Sequence, residues 1–193
     1  MAPPELEPPT AVYDACVLYD SVQRDLLLQL HVEGAVRARW SRRILEEYLE
    51  HLTANRPDLG ARVHHAPRAM AEAFPGSIIR SYEAFLGRVM LPDPKDDHVV
   101  AVALAARASV NVTANIRDFP AAVLAPHDIR TQKPDDFVVT LAGGDIAQVI
   151  QAVRTILGRL RRPPLSAEEY LVVLARHDLG QTASRIRDAG ISI

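Results

Sequence analysis

The sequence contains few of the residues on which several common site types depend. Only Cys16 is a cysteine among the 193 residues, so the chain can form neither an internal disulfide nor a zinc site built from several thiolates. The seven histidines show no HxH or HExxH spacing, and there is no glycine-rich phosphate loop, GxSxG elbow or Rossmann fingerprint. These absences disfavour zinc enzymes, serine hydrolases of the α/β type and dinucleotide-binding proteins.

The chain also lacks long apolar runs and a strong charge of one sign. No run approaches the about 20 apolar residues of a membrane span, and the start MAPPELEPPT lacks the basic and apolar regions of a secretion signal. The net charge of -2 provides no overall attraction to nucleic acid, so binding a polyanion requires a local basic patch or a bridging cation. We therefore expect a cytoplasmic protein without a membrane partner.

The pattern along the chain alternates short apolar strands with helices. We expect a disordered tail at 1 to 10, a buried strand ending near Asp14, and a helix that stops at Gly34. Ser41 is a plausible N-cap for the helix of ILEEYLEHL, and VNVT at 110 to 113 is typical of an interior parallel strand. A further strand is expected near 129 to 131. This alternation predicts an α/β sandwich with a parallel sheet.

The second half begins with capping signals and ends in helices. Asp93 suits the N-cap and Pro94 the first position of a helix over about 94 to 107, which is apolar nearly all round. From about 143 onward the pattern is helical, interrupted at 161 to 164, and Ser166 with Glu169 forms a capping-box pattern. We predict a main domain at 11 to 142 and a helical extension at 143 to 193.

Acidic and amide side chains follow the ends of the predicted strands. Asp14 ends the first strand, and Asn115 and Asp118 come just after VNVT. Because ligands of parallel sheets collect beyond the carboxyl ends of the strands, we expect these groups at one edge. Asp96 or Asp97, in the first turn of the neighbouring helix, can point at the same edge.

Glu47 is a further candidate for this edge, because it borders the apolar face of its helix while Glu46 lies on the more polar side. Gathered carboxylates repel one another, and a hard divalent cation offsets the repulsion because Mg²⁺ and Mn²⁺ prefer carboxylate and amide oxygens. The sequence therefore predicts a metal site at the edge.

Four segments resemble the PIN-domain family, in the class of VapC-type toxin ribonucleases. They are, in the family's order and over about 10 to 137, VYDACVLY, ILEEYLEHL, DPKDDHVVAVALAA and VTANIRDFP. The resemblance implies a PIN-like three-layer sandwich with a central parallel sheet flanked by helices, and a site dependent on Mg²⁺ or Mn²⁺. By this likeness Asp14, Glu47 and Asp96 match the acidic metal ligands, Asn115 stands at a position where many members have Asp, and Asp118 supplies the missing charge.

The resemblance implies a metal-dependent endoribonuclease in which Asp14, Glu47, Asp96 and Asp118 are catalytic. It also implies an RNA substrate, a homodimer and a cognate antitoxin protein. An alternative is a degenerate PIN domain that binds RNA or protein without catalysis; a phosphatase with an Asp14 nucleophile is a weaker reading. Cys16 replaces the family's Asn or Ser, and we expect it to remove a hydrogen bond to Asp14.

A basic segment precedes the Glu47 helix. Arg39, Arg42 and Arg43 surround Trp40, and this grouping suits either phosphate steering with base stacking or a solvated basic face.

Overall fold

The core is a sheet of four parallel strands in the order β2-β1-β3-β4, described by a computed structural model of residues 7–160 and 164–190. The strands are β1 (Thr10–Tyr13), β2 (Arg37–Arg39), β3 (Val110–Val112) and β4 (Arg130–Gln132). All residues of β3 and the last three of β1 are buried, so both faces of the sheet are covered. The predicted parallel sheet and α/β fold are confirmed.

Helices connect and flank the strands. The α-helices of the described residues are α1 (Ala15–Tyr19), α2 (Ser21–Val32), α3 (Arg42–Asn55), α4 (His65–Ala73), α5 (Asp97–Ala106), α6 (Ala121–Leu124), α7 (Pro134–Arg159), α8 (Ala167–Arg176) and α9 (Gly180–Asp188). Short 3-10 helices occupy Pro57–His64, Pro75–Ser77, Glu83–Phe85, Pro94–Asp96, Ile116–Asp118 and Ala125–His127. The two segments Pro94–Asp96 and Ile116–Asp118 each end on an acid of the predicted site.

Both faces of β1 are packed by helices. The Tyr13 hydroxyl donates to the Leu27 carbonyl of α2 at 3.2 Å, and the Tyr13 ring meets Phe137 of α7 edge to face. Helix α5 packs against β1, β2 and β3, which explains why it is apolar nearly all round. The sheet is therefore held in place on both sides where its carboxyl edge carries the acids.

Several helix ends and caps predicted from local sequence are confirmed. Gly34 follows α2 with a φ of 78°, the Ser41 hydroxyl accepts from the Ile44 amide at the start of α3, and Ser166 and Glu169 form the capping box of α8. Asp93 caps the 3-10 turn Pro94–Asp96, and α5 itself begins only at Asp97.

Other expectations require correction. Residues 1 to 6 of the expected tail lie outside the described residues, as do 161 to 163 of the expected break, but Thr10 already belongs to β1. Strand β2 was not predicted. Helix α7 begins at Pro134 rather than near 143 and changes direction at Asp145, whose carboxylate accepts from the Ala147 amide at 2.9 Å.

Helix α7 also differs from the expectation about apolar length. Its 26 residues are long and apolar enough to cross a bilayer by length and composition alone. In the structure it packs against α2 and α9. Helices that pack within a protein can meet the same criterion of length and composition.

A carboxylate of α7 fixes the start of α9. The first turn of α9 has no cap of its own, and Asp135 accepts from the amides of Gln181 and Thr182 at 2.9 and 2.8 Å and from the Thr182 hydroxyl at 2.7 Å. Within the described residues, the Asp136 carboxylate accepts one hydrogen bond, from the Gln181 side chain at 3.0 Å. Asp135 thus caps α9 from another helix.

We expect Asp135→Ala to lower the free energy of unfolding by about 1–3 kcal/mol, because it leaves the amides at the start of α9 without their acceptor. The matched Asp136→Ala should cost less than about 1 kcal/mol, since it removes one exposed contact. Urea denaturation followed by circular dichroism measures both. Equal losses in the two variants would contradict the capping role.

Candidate active site

Asp14 lies where β1 passes into α1 and is buried, with 8% of its surface exposed. Its Oδ1 accepts from the Ala15 amide at 2.6 Å, which makes it the N-cap of α1. Its Oδ2 accepts from the Thr113 hydroxyl, just after β3, at 2.7 Å. The ends of the two central strands are thus joined through this carboxylate.

Cys16 also contacts Asp14, which corrects the expectation that it removes a hydrogen bond. Its Sγ lies 3.2 Å from Oδ2 of Asp14 and accepts from the Ala114 amide at 3.2 Å. Burial and the neighbouring Asp14 charge raise the pKa of the Cys16 thiol to about 12. The thiol therefore stays protonated at neutral pH and acts as a donor to Asp14.

Asp96 and Asp118 are half-buried acids of the same edge. Burial and the charges of Asp14, Asp118 and Asp93 raise the pKa of Asp96 to about 6, whereas His98 acts in the opposite direction. Neither carboxylate forms a hydrogen bond or ion pair within residues 7–160 and 164–190. Asp14, Asp96 and Asp118 thus gather as the sequence predicts, and two of the three have no protein partner there.

Asp97 has a different environment. Its Oδ2 accepts from the Gly87 amide at 2.7 Å, so this side chain holds the preceding loop. Of the two neighbouring acids, Asp96 is the one placed among the charges of Asp14 and Asp118.

The Glu47 carboxylate is held by a histidine and an arginine. Its Oε1 contacts His98 Nε2 and accepts from Arg43 Nε, both at 3.0 Å. Burial alone raises the pKa of Glu47, but the His98 and Arg43 contacts outweigh it and lower the pKa below its usual value. Glu47 is therefore ionised and already paired, while Glu46 is exposed on the other side of α3.

His98 is a site residue that the sequence interpretation did not include. It is buried at the start of α5, two positions after Asp96, and its Nδ1 has no hydrogen-bond partner in the described chain. Because Glu47 is ionised, the contact requires a proton on His98 Nε2. The position of the histidine in DPKDDHVV, directly after the acids, was the available signal.

Asn115 and the basic segment complete the surroundings. The Asn115 side chain is exposed, and the backbone amide of Asn115 donates to Thr113 Oγ1 at 3.0 Å. Trp40 is fully buried and packs edge to face on Phe74, so the prediction that Trp40 stacks on a base is wrong. Arg43 pairs with Glu47, and Arg39 donates to the Ala38 carbonyl at 2.9 Å.

The acids suit a hydrated hard cation. Among the described residues, no three His, Cys, Asp or Glu side chains are already arranged to hold a metal ion. Mg²⁺, however, commonly keeps several waters and uses only one or two carboxylates. The unpaired carboxylates of Asp96 and Asp118 beside the oriented Asp14 fit such an ion, and Glu47 is the acid least available to it.

Known proteins resemble this chain in both of its parts. The family described as "PIN domain" matches residues 10–117, more than half of the chain, and that described as "VapC50 C-terminal domain" matches residues 134–188. A curated relative named "Putative ribonuclease VapC50", from Mycobacterium tuberculosis, is 47% identical over 45 residues, which span 23% of this chain and 27% of the relative. No solved structure matches significantly.

The parallel sheet, the acids at its carboxyl edge and the two family matches agree with one another. The chain belongs to the PIN-domain family, of the VapC type.

Proposed function

We propose that this protein is an endoribonuclease that hydrolyses RNA phosphodiester bonds with Mg²⁺ or Mn²⁺. The observation that carries the proposal is that the carboxylates of Asp96 and Asp118 have no partner in the described chain and lie beside the buried and oriented Asp14. A domain with no ligand at this edge would be expected to neutralise these charges, as it does at Glu47. The PIN-domain family and the ribonuclease named as a relative support the same reaction.

The side chains of the edge have distinct proposed roles. Asp14, Asp96 and Asp118 would hold the ion, with Glu47 and Asn115 at its periphery. A bound Mg²⁺ or Mn²⁺ lowers the pKa of coordinated water and stabilises charge on phosphate oxygens. Asp118 is half-buried and unpaired in the described chain, so its carboxylate would be available to accept the proton of the attacking water.

A second candidate is a PIN domain that binds RNA or protein without catalysis. It is favoured by the pairing of Glu47 with His98 and Arg43 and by the lack, among the described residues, of a preformed three-ligand set. Calorimetric titration with Mn²⁺ separates the candidates, since the nuclease must bind the ion and lose it on Asp14→Asn.

We expect Mn²⁺-dependent cleavage of labelled single-stranded RNA to stop in EDTA and to fall at least about 100-fold in Asp14→Asn. The replacement removes a charge that the metal needs and retains the side-chain shape. Asp128→Asn is the matched control, because Asp128 is an exposed acid of the turn before β4 and lies away from the edge. Cleavage that survives EDTA or Asp14→Asn would remove the mechanism.

The pKa of Asp96 predicts a pH dependence of the metal-free protein. Its folded value of about 6 lies above the ordinary Asp value, so protonation favours the folded state. This contribution is complete below the ordinary pKa of about 4 and is lost as the pH rises through about 6.

In EDTA, Asp96→Asn should therefore be more stable to urea than the wild type at pH 7, and the difference should vanish near pH 4. Asp128→Asn controls for net charge. A variant less stable than the wild type at pH 7 would show that Asp96 is not repelled by its neighbours.

We also propose that His98 is a positioning residue that orients Glu47 through its Nε2 proton. His98→Leu removes the donor and retains bulk, so cleavage should fall about 10-fold, the lower end of the effect of a residue that orients a neighbour of the ion. His98→Gln places an amide N–H in a similar position and should restore most of the cleavage. Equal losses in the Gln and Leu variants, at equal stability to urea, would rule out the donor role.

A further inference from the structure

A cavity of about 740 Å³ lies beyond the carboxyl ends of β3 and β4, and its lining includes Ala114, Lys133 and Pro134 but none of Asp14, Asp96 and Asp118. Its volume lies within the about 300–1,000 Å³ of ordinary ligand sites. Ala114, one of its lining residues, stands between Thr113, which donates to Asp14, and the exposed Asn115. The remaining wall comes from α2, the β4–α7 junction and the C-terminal helices and includes Gln23, Lys133, Asp178, Gln181 and Ser184.

The turn between α8 and α9 presents a free carboxylate at this cavity. His177 Nδ1 lies 2.7 Å from Asp20 Oδ2, and the His177 carbonyl accepts from Gln23 Nε2 at 2.9 Å. On the other side Leu179 is fully buried, and its amide donates to the Leu174 carbonyl at 3.0 Å. Asp178 lies between these anchors with a φ of 57°, and its carboxylate has no partner in the described chain.

Lys133 supplies the opposite charge from a second fixed position. It joins β4 to α7, and its carbonyl accepts from the Phe137 amide at 2.9 Å. Its exposed ammonium group has no hydrogen bond or ion pair within the described residues, with Asp178 or with any other. The cavity lining therefore includes the ammonium group of Lys133 and the carboxylate of Asp178, which form no ion pair with each other or with another described residue.

The other acids of the wall are already engaged. Asp135 accepts from the start of α9, and Asp136 accepts from Gln181 Nε2. With three carboxylates and a single lysine in its lining, the cavity repels a phosphate group. It suits a neutral ring that offers N–H donors to Asp178 and an acceptor to Lys133.

We propose that this cavity binds the guanine base of an RNA nucleotide next to the cleaved phosphate, an inference that rests on the proposed ribonuclease function. The edge of guanine carries the O6 acceptor beside the N1–H and N2–H donors, so Lys133 can reach O6 while the Asp178 carboxylate accepts from both nitrogens. Uracil offers one such donor, and adenine and cytosine present an amino group where the lysine requires an acceptor. Single-stranded RNA exposes this edge.

The test is titration of the full chain carrying Asp14→Asn, in EDTA, with guanosine, adenosine, cytidine and uridine, followed by calorimetry or by amide chemical shifts; these probes carry no phosphate that the acids would repel. We expect guanosine to bind more tightly than the other three by at least about tenfold. Asp178→Asn and Lys133→Met should each weaken guanosine binding to a similar extent. Asp128→Asn, at another exposed acid with positive φ, should not change it.

The outcomes separate this inference from the ribonuclease function, because metal and cleavage are absent from the titration. Equal affinity for the four nucleosides, no binding, or an unchanged affinity in Asp178→Asn would overturn the guanine site and leave the proposed cleavage untouched. In the metal-loaded wild type, cleavage should occur beside guanines, and Asp178→Asn should reduce that preference. Specific guanosine binding in a protein that cleaves no RNA would support the cavity and reject the ribonuclease.

Discussion

Repulsion among the carboxylates of Asp14, Asp96 and Asp118 is the constraint on which the arrangement of the carboxyl edge depends. Two unit charges 4 Å apart at an effective dielectric of about 20 repel by about 4 kcal/mol. The raised pKa of Asp96 is one consequence of this repulsion together with burial. Asp14 keeps its position despite the repulsion, because the Ala15 amide and the Thr113 hydroxyl hold its two oxygens and because β1 and β3 are packed on both faces.

The edge treats its acids in two ways. Glu47 is paired with a histidine and an arginine, whereas Asp96 and Asp118 have no partner within the described chain. Selection for stability alone would favour neutral or paired groups at all these positions, and retaining unpaired charge is a cost usually accepted at functional sites. The unequal pairing therefore supports the proposal that Asp96 and Asp118, rather than Glu47, are the acids available to a cation.

Local sequence signals predicted the elements that depend on local physics. Ser41, Gly34 and the Ser166 capping box mark helix ends because they satisfy nearby backbone groups. Even the helix expected from about 143 corresponds to a real feature, since α7 bends at Asp145 and that carboxylate caps the second segment.

Features that depend on distant residues were missed. Strand β2 has only three residues, two of them arginines, and exists because Thr10 to Val12 pair with Arg37 to Arg39. Trp40 follows a basic strand yet lies in the core, and Cys16 contacts Thr113, about a hundred residues away, at 3.3 Å. The His98 contact likewise joins two helices. The sequence predicted which acidic residues follow the strands and in what order, but it did not predict their hydrogen-bond partners.

The C-terminal helices are anchored near the edge of the sheet that carries the acids. Asp20, at the start of α2, caps its own helix and contacts His177, while Asp135, at the start of α7, caps α9. Both anchors lie just beyond segments that carry the sheet edge, so the helices cannot shift without changing the cavity beside Ala114. Most of the cavity wall comes from residues after 132, beyond the PIN-domain match at 10–117. The charge that we propose holds a cation and the surface that we propose selects a base are thus carried by different segments, so substitutions in α8 and α9 would alter selection while the acids stay the same.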